Sequence, residues 1–282
     1  MGPPAEPPTR TSVHRYTQEL LSFSAQPAAA EQVLRIVSNP NAGAADVARV
    51  VETDPALAAR VMRLANSPFY GLPRRVSSTR HATVMLGFDT VRALAVSAAC
   101  SLLDGRVEVG PDGFWRHAIT TASAASVIAR KVGLSTADAF SAGLLHDLGA
   151  VLLHRRDAGA FAAATVSPTV SDQVAAELAA FGVTHADEGA AALDAWGFPE
   201  PFVEAVALHQ HGVEEPRHAL GRILRVAEAV ALEHAPMPGY PTPPDVDRLL
   251  IAIRLRPDDF DVVTREVDGQ LERIADMLGV EA

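Results

Sequence analysis

The most informative segment of this chain is Gly143-Leu144-Leu145-His146-Asp147-Leu148-Gly149. The adjacent histidine and aspartate, at the inner end of an apolar helix, place an imidazole nitrogen beside a carboxylate oxygen. Divalent transition-metal ions take both ligand types from proteins. Other residues that could complete a metal-binding set lie before and after the pair: His117, His185, His209 and Glu228.

Composition favours an all-α protein. The chain has 282 residues, of which 48% are hydrophobic and only 5% aromatic, and its β-branched runs are short. That length suffices for one or two domains with a large core. The net charge of −10 argues against broad binding to nucleic acid, so no nucleic-acid partner is expected. Arg74, Arg75 and Arg80 are interpreted as cations of a solvated segment.

Cysteine usage and hydropathy indicate the compartment. The single cysteine, Cys100, excludes a disulfide framework within one chain and suits a reducing cytoplasm. The N-terminal residues lack the basic and apolar segments of a signal peptide, and no apolar run approaches the length of a membrane span. A cytoplasmic location without membrane association is therefore expected.

Local signals divide the chain into segments. Residues 1–12 are proline-rich and predicted to be disordered. Turn-rich sequence near residue 108 predicts a boundary between an N-terminal helical lobe (13–108) and a second helical lobe (109–235), followed by a proline-rich linker and C-terminal helices (236–282). Helices are predicted at about 78–86, 89–103, 114–132, 136–147, 170–181, 185–196, 199–210, 217–234, 245–255 and 257–278.

Histidines in apolar segments require an explanation. His146 follows two leucines, and His209 follows an apolar segment. Burying an unpaired polar group in such surroundings is costly. The residues alone leave two interpretations open, a hydrogen-bonded polar core or a metal site. The remaining isolated histidines are interpreted as structural or surface residues: His14, His81, His154, His218 and His234.

An ordered set of motifs resembles one known family. The motifs are Asp54-Pro55-Ala56-Leu57, Arg63-Leu64-Ala65-Asn66-Ser67, Leu86-Gly87, Phe114-Trp115-Arg116-His117, the stretch 143–149, Gly182-Val183-Thr184-His185, Gly189-Ala190-Ala191-Ala192-Leu193, Trp196-Gly197-Phe198-Pro199 and His209. Over about residues 15–235 the chain is similar to the HD-related output domain family, HDOD. That family is a branch of the metal-dependent phosphohydrolases named for their His-Asp pair.

The resemblance implies a fold and a ligand set. It implies an N-terminal helical lobe packed on an HD-like helical lobe. It also implies one divalent cation, iron, manganese or zinc, held by four residues: His117, His146, Asp147 and Glu228. His185 and His209 would be available for a second cation, with Asp147 as the bridge.

The chain departs from the active cyclic-dinucleotide phosphodiesterases that it resembles. Those enzymes have a lysine three residues after the His-Asp pair, where this chain has Ala150, and paired histidines where it has His209-Gln210. Gly212-Val213-Glu214-Glu215-Pro216 replaces their Gly-Tyr-Pro signature, and Glu228 replaces their last aspartate. Gly239-Tyr240-Pro241 follows Glu228 instead of preceding it and is interpreted as unrelated to that signature.

Two functional hypotheses follow. The first is a non-catalytic bacterial signalling module that acts through a protein partner or a nucleotide, and the departures favour it. The alternative is a metal-dependent phosphohydrolase or cyclic-nucleotide phosphodiesterase, in which metal-bound water attacks phosphorus. A third reading is a metal-stabilised core without turnover. No residue is assigned a catalytic role, and the sequence predicts no oligomeric state.

Overall fold

The described part of the chain is helical. The computed structural model describes residues 32, 33, 35, 36, 39, 41–52, 61, 62, 65, 78–99, 111, 113–210, 216–234, 237, 240 and 246–278, and these contain no strand. This confirms the all-α prediction. The helices are α1 (Ala44–Glu52), α2 (Thr79–Leu86), α3 (Phe88–Ala99), α4 (Phe114–Val132), α5 (Thr136–Leu145), α6 (Leu148–Arg156), α7 (Ala158–Thr165), α8 (Val170–Phe181), α9 (His185–Ala195), α10 (Glu200–Ala207), α11 (Ala219–His234), α12 (Val246–Ala252) and α13 (Asp259–Leu278).

Several sequence predictions concern other residues. The proline-rich segment 1–12, the Asp54-Pro55 motif, Arg74, Arg75 and Cys100 lie outside the described residues. The boundary of the two lobes at residue 108 lies there too and stays a prediction. No helix in the described part is both long and apolar enough to cross a membrane.

Helix ends follow the local sequence signals where those signals are strong. Gly133 adopts a φ of 74° and ends α4, and Ser135 caps α5 by accepting a hydrogen bond from the N–H of Asp138 at 3.2 Å. Both positions agree with the predicted boundaries of the helices at about 114–132 and 136–147. The predicted helices missed α6 and α7, which are short and are separated by Asp157, whose carboxylate accepts from the N–H of Ala160 at 2.9 Å. Short apolar helices carry too little periodicity to identify.

Two glycines allow helices to pack at backbone contact around the His-Asp pair. A Cβ built on Gly143 would lie 2.6 Å from the Cα of Ala122, so α5 contacts α4 through its backbone. A Cβ on Gly149 would lie 1.9 Å from the carbonyl oxygen of His185 and 2.6 Å from the nitrogen of Gly189. Helix α6 therefore lies against α9 at a distance that only glycine permits.

Two apolar clusters hold this arrangement. One joins the N-terminal helices to the region of the His-Asp pair and includes Val96, Leu145, Leu148 and Trp196. The other joins α4 and α11 to the last two helices, through residues including Ile128, Val226, Val230, Val263 and Val267. The C-terminal helices thus pack on the same body as α4, through α13 in particular.

A buried carboxylate organises the start of α11. Glu204 in α10 accepts hydrogen bonds from the backbone N–H groups of Arg217 and His218 at 3.0 and 2.9 Å. Burial acts to raise the pKa of Glu204, but these N–H groups and the side chains of both residues lower it to about 2. The carboxylate stabilises the positive end of a helix that also carries Glu228.

Glu204→Gln should therefore lower the free energy of unfolding at pH 7 by about 1–3 kcal/mol, because hydrogen bonds to a charge are lost. A carboxylate with a lowered pKa stabilises the fold above its unfolded pKa, and this contribution is lost as the pH falls towards 2. Urea unfolding at pH values between 7 and 3 should show the difference from wild type shrinking with acidity. Glu233→Gln, on the exposed side of α11, is the control and should cost little at any pH.

Gly149→Ala should destabilise the protein by about 3 kcal/mol, because the new methyl group collides with the backbone of α9. Gly159→Ala is the matched control: Gly159 is exposed in α7, the nearest atom to its added Cβ lies at 3.5 Å, and alanine should be neutral or stabilising. Equal unfolding midpoints for the two variants would show that α6 and α9 do not require this contact.

Candidate metal centre

Five segments bring the predicted ligands together. His117 comes from α4, His185 begins α9, and Glu228 lies in α11. The His-Asp pair lies between α5 and α6, and His209 follows the end of α10. None of the six residues is more than 2% exposed. We call them the centre: His117, His146, Asp147, His185, His209 and Glu228.

One half of the centre is built around Glu228. Its Oε2 lies 3.1 Å from Nε2 of His117 and 3.0 Å from Nε2 of His146. Oδ2 of Asp147 lies 3.7 and 3.4 Å from the same two nitrogens. One donor atom each from His117, His146 and Glu228 therefore falls within 4.8 Å of the others, which is close enough to share one ion.

The other half faces the second oxygen of Asp147. Oδ1 lies 3.6 Å from Nε2 of His185 and 3.3 Å from Nε2 of His209. Asp147 occupies the N-cap position of α6, yet its side chain does not cap that helix. Instead, its two oxygens face the two halves of the centre, as in a bridging carboxylate.

Backbone carbonyls determine which ring nitrogen faces inward. Nδ1 of His146 donates to the carbonyl of Gly143 at 2.7 Å, and Nδ1 of His209 donates to that of Val206 at 2.7 Å. Since a carbonyl only accepts, both Nδ1 atoms carry hydrogen, and the neutral rings present a lone pair at Nε2. This arrangement is typical of metal-binding histidines.

A buried carboxylate orients the third ring. Nδ1 of His185 donates to Glu177 in α8 at 2.7 Å, and the backbone N–H of His185 donates to the other oxygen at 2.8 Å. Nε2 of His185 lies 3.4 Å from Nε2 of His209. When both rings are neutral, two lone pairs face each other across this gap, so a proton or a cation is required between them.

The buried charges of the centre shift the pKa values of its side chains. Burial acts to lower the pKa of His146, but Asp147 and Glu228 outweigh it and raise that pKa well above its usual value. Glu177 and Asp147 likewise outweigh burial and raise the pKa of His185. Burial acts to raise the carboxyl pKa of Asp147, yet the attraction of His146 holds it well below its usual range. Protons on histidine thus balance carboxylates where cations otherwise could.

The residues have the ligand chemistry of a site for divalent cations. Among the described residues, three buried carboxylate oxygens of the centre make no hydrogen bond of good geometry: both oxygens of Asp147 and Oε1 of Glu228. Unpaired buried polar atoms are rare and costly, whereas inward lone pairs of nitrogen and oxygen suit manganese, iron or zinc. The convergence of these atoms is the structural argument for a metal site.

Two residues beside the centre were missed by the sequence analysis. Glu177 precedes His185 in an ordinary helix, and nothing in its spacing indicates that it orients a ring. Tyr240 was set aside with its neighbours as unrelated to the family signature. Its ring centroid nevertheless lies 6.3 Å from that of His117 and 6.0 Å from that of His185. These contacts depend on how the helices pack and on where the chain places residue 240, and neither can be predicted from the sequence.

Comparison with known proteins identifies the family and similar folds. The HDOD domain model matches residues 24–212. A candidate phosphohydrolase from Shewanella amazonensis SB2B is 23% identical with a TM-score of 0.62, and the match covers 95% of this chain and 98% of that one. A candidate signal transduction protein from Marinobacter aquaeolei VT8 is 26% identical with a TM-score of 0.60, covering 96% of this chain and 65% of that one.

A sequence relative covers less of the chain. An uncharacterised protein from Treponema pallidum (strain Nichols) is 28% identical over 127 residues, which is 43% of this chain. The matched segment is 24% of that protein's length, so this relative is much longer than the region in common.

Glu177→Gln should lower the pKa of His185 in chelator-treated protein, because the carboxylate that favours the protonated ring becomes neutral. The measurement is an NMR titration of the histidine ring protons against pH. Glu233→Gln is the control, since Glu233 lies on the exposed side of α11. An unchanged His185 titration in Glu177→Gln would contradict the role assigned to Glu177.

Proposed function

We propose that this chain, which belongs to the HDOD domain family, is a non-catalytic signalling module whose centre holds divalent cations. The observation that carries the proposal is that a convergent set of ligands is closed to solvent: all six side chains are at most 2% exposed. A phosphodiesterase must bring a bulky substrate to its metal, whereas a binding or structural centre needs no such opening. The module would act through a signalling protein partner, with a nucleotide as a further candidate ligand.

The residue at position 150, three residues after Asp147, supports the proposal that the protein has no turnover. Ala150 is fully buried in a small apolar cluster with Leu153 and Phe161. It therefore cannot supply the cation that related phosphodiesterases place three residues after the pair. Among the described residues, the ion pairs of Asp147 and Glu228 are all made with histidines. Fixed positive side chains that would stabilise a reacting phosphate are missing from these pairs.

The comparisons support a signalling role at a coarse level. The chain is similar over most of its length to a candidate signal transduction protein. The likeness to a candidate phosphohydrolase, at 23% identity, is a likeness of fold. Fold does not determine function. The choice between a signalling module and a phosphohydrolase therefore rests on the burial of the centre and on Ala150. We place the module in the cytoplasm, on the grounds of its single cysteine.

A second candidate function is metal-dependent phosphohydrolysis. The observation that favours it is the bridging geometry of Asp147, whose two oxygens face separate sets of histidines. A bound divalent cation supplies Lewis acidity and lowers the pKa of a bound water. The residues of this chain would hold the cations, orient the rings through Glu177 and backbone carbonyls, and exclude bulk water.

Metal content tests the premise of both functions. Protein purified without chelator, with iron, manganese and zinc supplied, should carry about two equivalents by mass spectrometry, one for each half of the centre. The variant combining His146→Ala and Asp147→Ala should carry almost none, whereas Glu233→Gln should match wild type. Because the double variant removes buried groups, His209→Gln serves as a milder second variant and should lose about one equivalent. A folded, metal-free wild type would refute the metal centre.

Turnover separates the two functions. Metal-loaded protein should hydrolyse neither bis(p-nitrophenyl) phosphate nor a cyclic dinucleotide faster than the double variant does. Hydrolysis that depends on metal and disappears in the double variant would overturn the non-catalytic proposal in favour of the phosphohydrolase. Folding of each variant is checked by circular dichroism.

A further inference from the structure

We propose that a groove at the starts of four helices is the docking surface for a protein partner, and that the partner inserts a basic, apolar segment there. The groove lies in or just before the first two turns of α3, α5, α10 and α11, and its lining includes Asp89, Leu134, Asp138, Phe202, His218 and Ile223. None of the six residues of the centre lines it. The inference rests on the proposed function, in which the protein acts through a signalling partner, and adds the surface and the chemistry of that partner.

The groove is apolar and large enough for one or two bulky side chains. Its volume is about 390 Å³, whereas pockets for small ligands range from roughly 300 to 1,000 Å³. Phe202 and Ile223 form its buried inner side, and Leu134 at its rim is 45% exposed. Pro199 and Pro201 add a wall without backbone N–H groups. An apolar side chain that covers this surface removes it from water, which favours binding.

Carboxylates make the groove acidic. Asp89 from α3 and Asp138 from α5 line it, and the described part of its lining contains no lysine or arginine. The carboxylate of Asp138 has no ion-pair partner within the described part of the chain. A cationic side chain of an occupant would gain a partner there, whereas an acidic side chain would be repelled.

The cationic groups beside the groove are already engaged. The imidazole of His218 lies between two carboxylates, with Nε2 3.1 Å from Glu200 and Nδ1 2.7 Å from Glu204. Arg217 pairs with the same two glutamates. Neither group is therefore available to an anionic occupant, and the charge at the groove favours a basic segment over an acidic one.

Three of the four helices that form the groove also hold the centre. Helix α5 ends directly before His146, His209 follows the end of α10, and Glu228 lies in α11. A segment docked in the groove would contact these helices without reaching the buried side chains of the centre. The surface that meets a partner is thus separate from the residues that would bind metal.

The test measures binding of fluorescein-labelled peptides to the full chain by fluorescence anisotropy. A short peptide of lysine and leucine residues should bind to wild type. Matched peptides with glutamate in place of lysine, or serine in place of leucine, should bind about tenfold more weakly or not at all.

Two pairs of variants locate the binding site. Leu134→Ser should weaken binding of the lysine–leucine peptide about tenfold, because an apolar contact is lost. Leu178→Ser is the matched control, since Leu178 in α8 is 47% exposed and does not line the groove. Asp138→Asn should weaken binding about fivefold, because one charge pair is lost. Asp194→Asn removes the same charge from α9, outside the groove, and should leave binding unchanged.

Several results would overturn the docking surface. They are a wild type that does not bind the lysine–leucine peptide, equal binding by wild type and both groove variants, and a preference for the glutamate–leucine peptide. Dimerisation of wild type in sedimentation experiments, lost in Leu134→Ser, would assign the groove to a second copy of the chain instead. Metal content is measured separately, so a metal-free protein that binds the peptide through the groove would refute the metal centre and leave the docking surface in place.

Discussion

Close backbone packing at Gly143 and Gly149 sets how near the helices around the His-Asp pair approach one another. These glycines flank the His-Asp pair and let α5 touch α4 and α6 touch α9 without an intervening side chain. When helices pack through ordinary side chains, their axes lie roughly 8–10 Å apart, and a closer approach requires small residues. The short approach brings His117 and His185 to opposite sides of the pair.

The carboxylates buried between these helices need oppositely charged partners. Asp147 and Glu228 are fully buried, and buried carboxylates require compensation. The histidines supply it in two alternative ways, either by taking up protons or by presenting their Nε2 lone pairs to cations. Backbone carbonyls and Glu177 hold the rings for the second use, because they occupy Nδ1 and leave Nε2 directed inward. This preorganisation supports the proposal that the centre binds divalent cations.

The proposal of binding without turnover rests on two observations. Ala150 packs in an apolar cluster, and the ligand atoms of the centre are buried. Tyr240 is the exception in its surroundings, since it contacts two rings of the centre and is partly exposed.

The helical class and the helix boundaries near residues 132 and 136 could be predicted from the sequence, because they depend on composition and local capping signals. The six residues of the centre came from their motifs, and their role as metal ligands stays a prediction. The sequence did not predict α6 and α7, whose short apolar sequences lack a clear period. Only the tertiary structure showed that Asp147 faces two sets of histidines, that Glu177 orients His185, and that Tyr240 reaches the centre. These contacts join residues from different helices, and their distances depend on packing that no local pattern encodes.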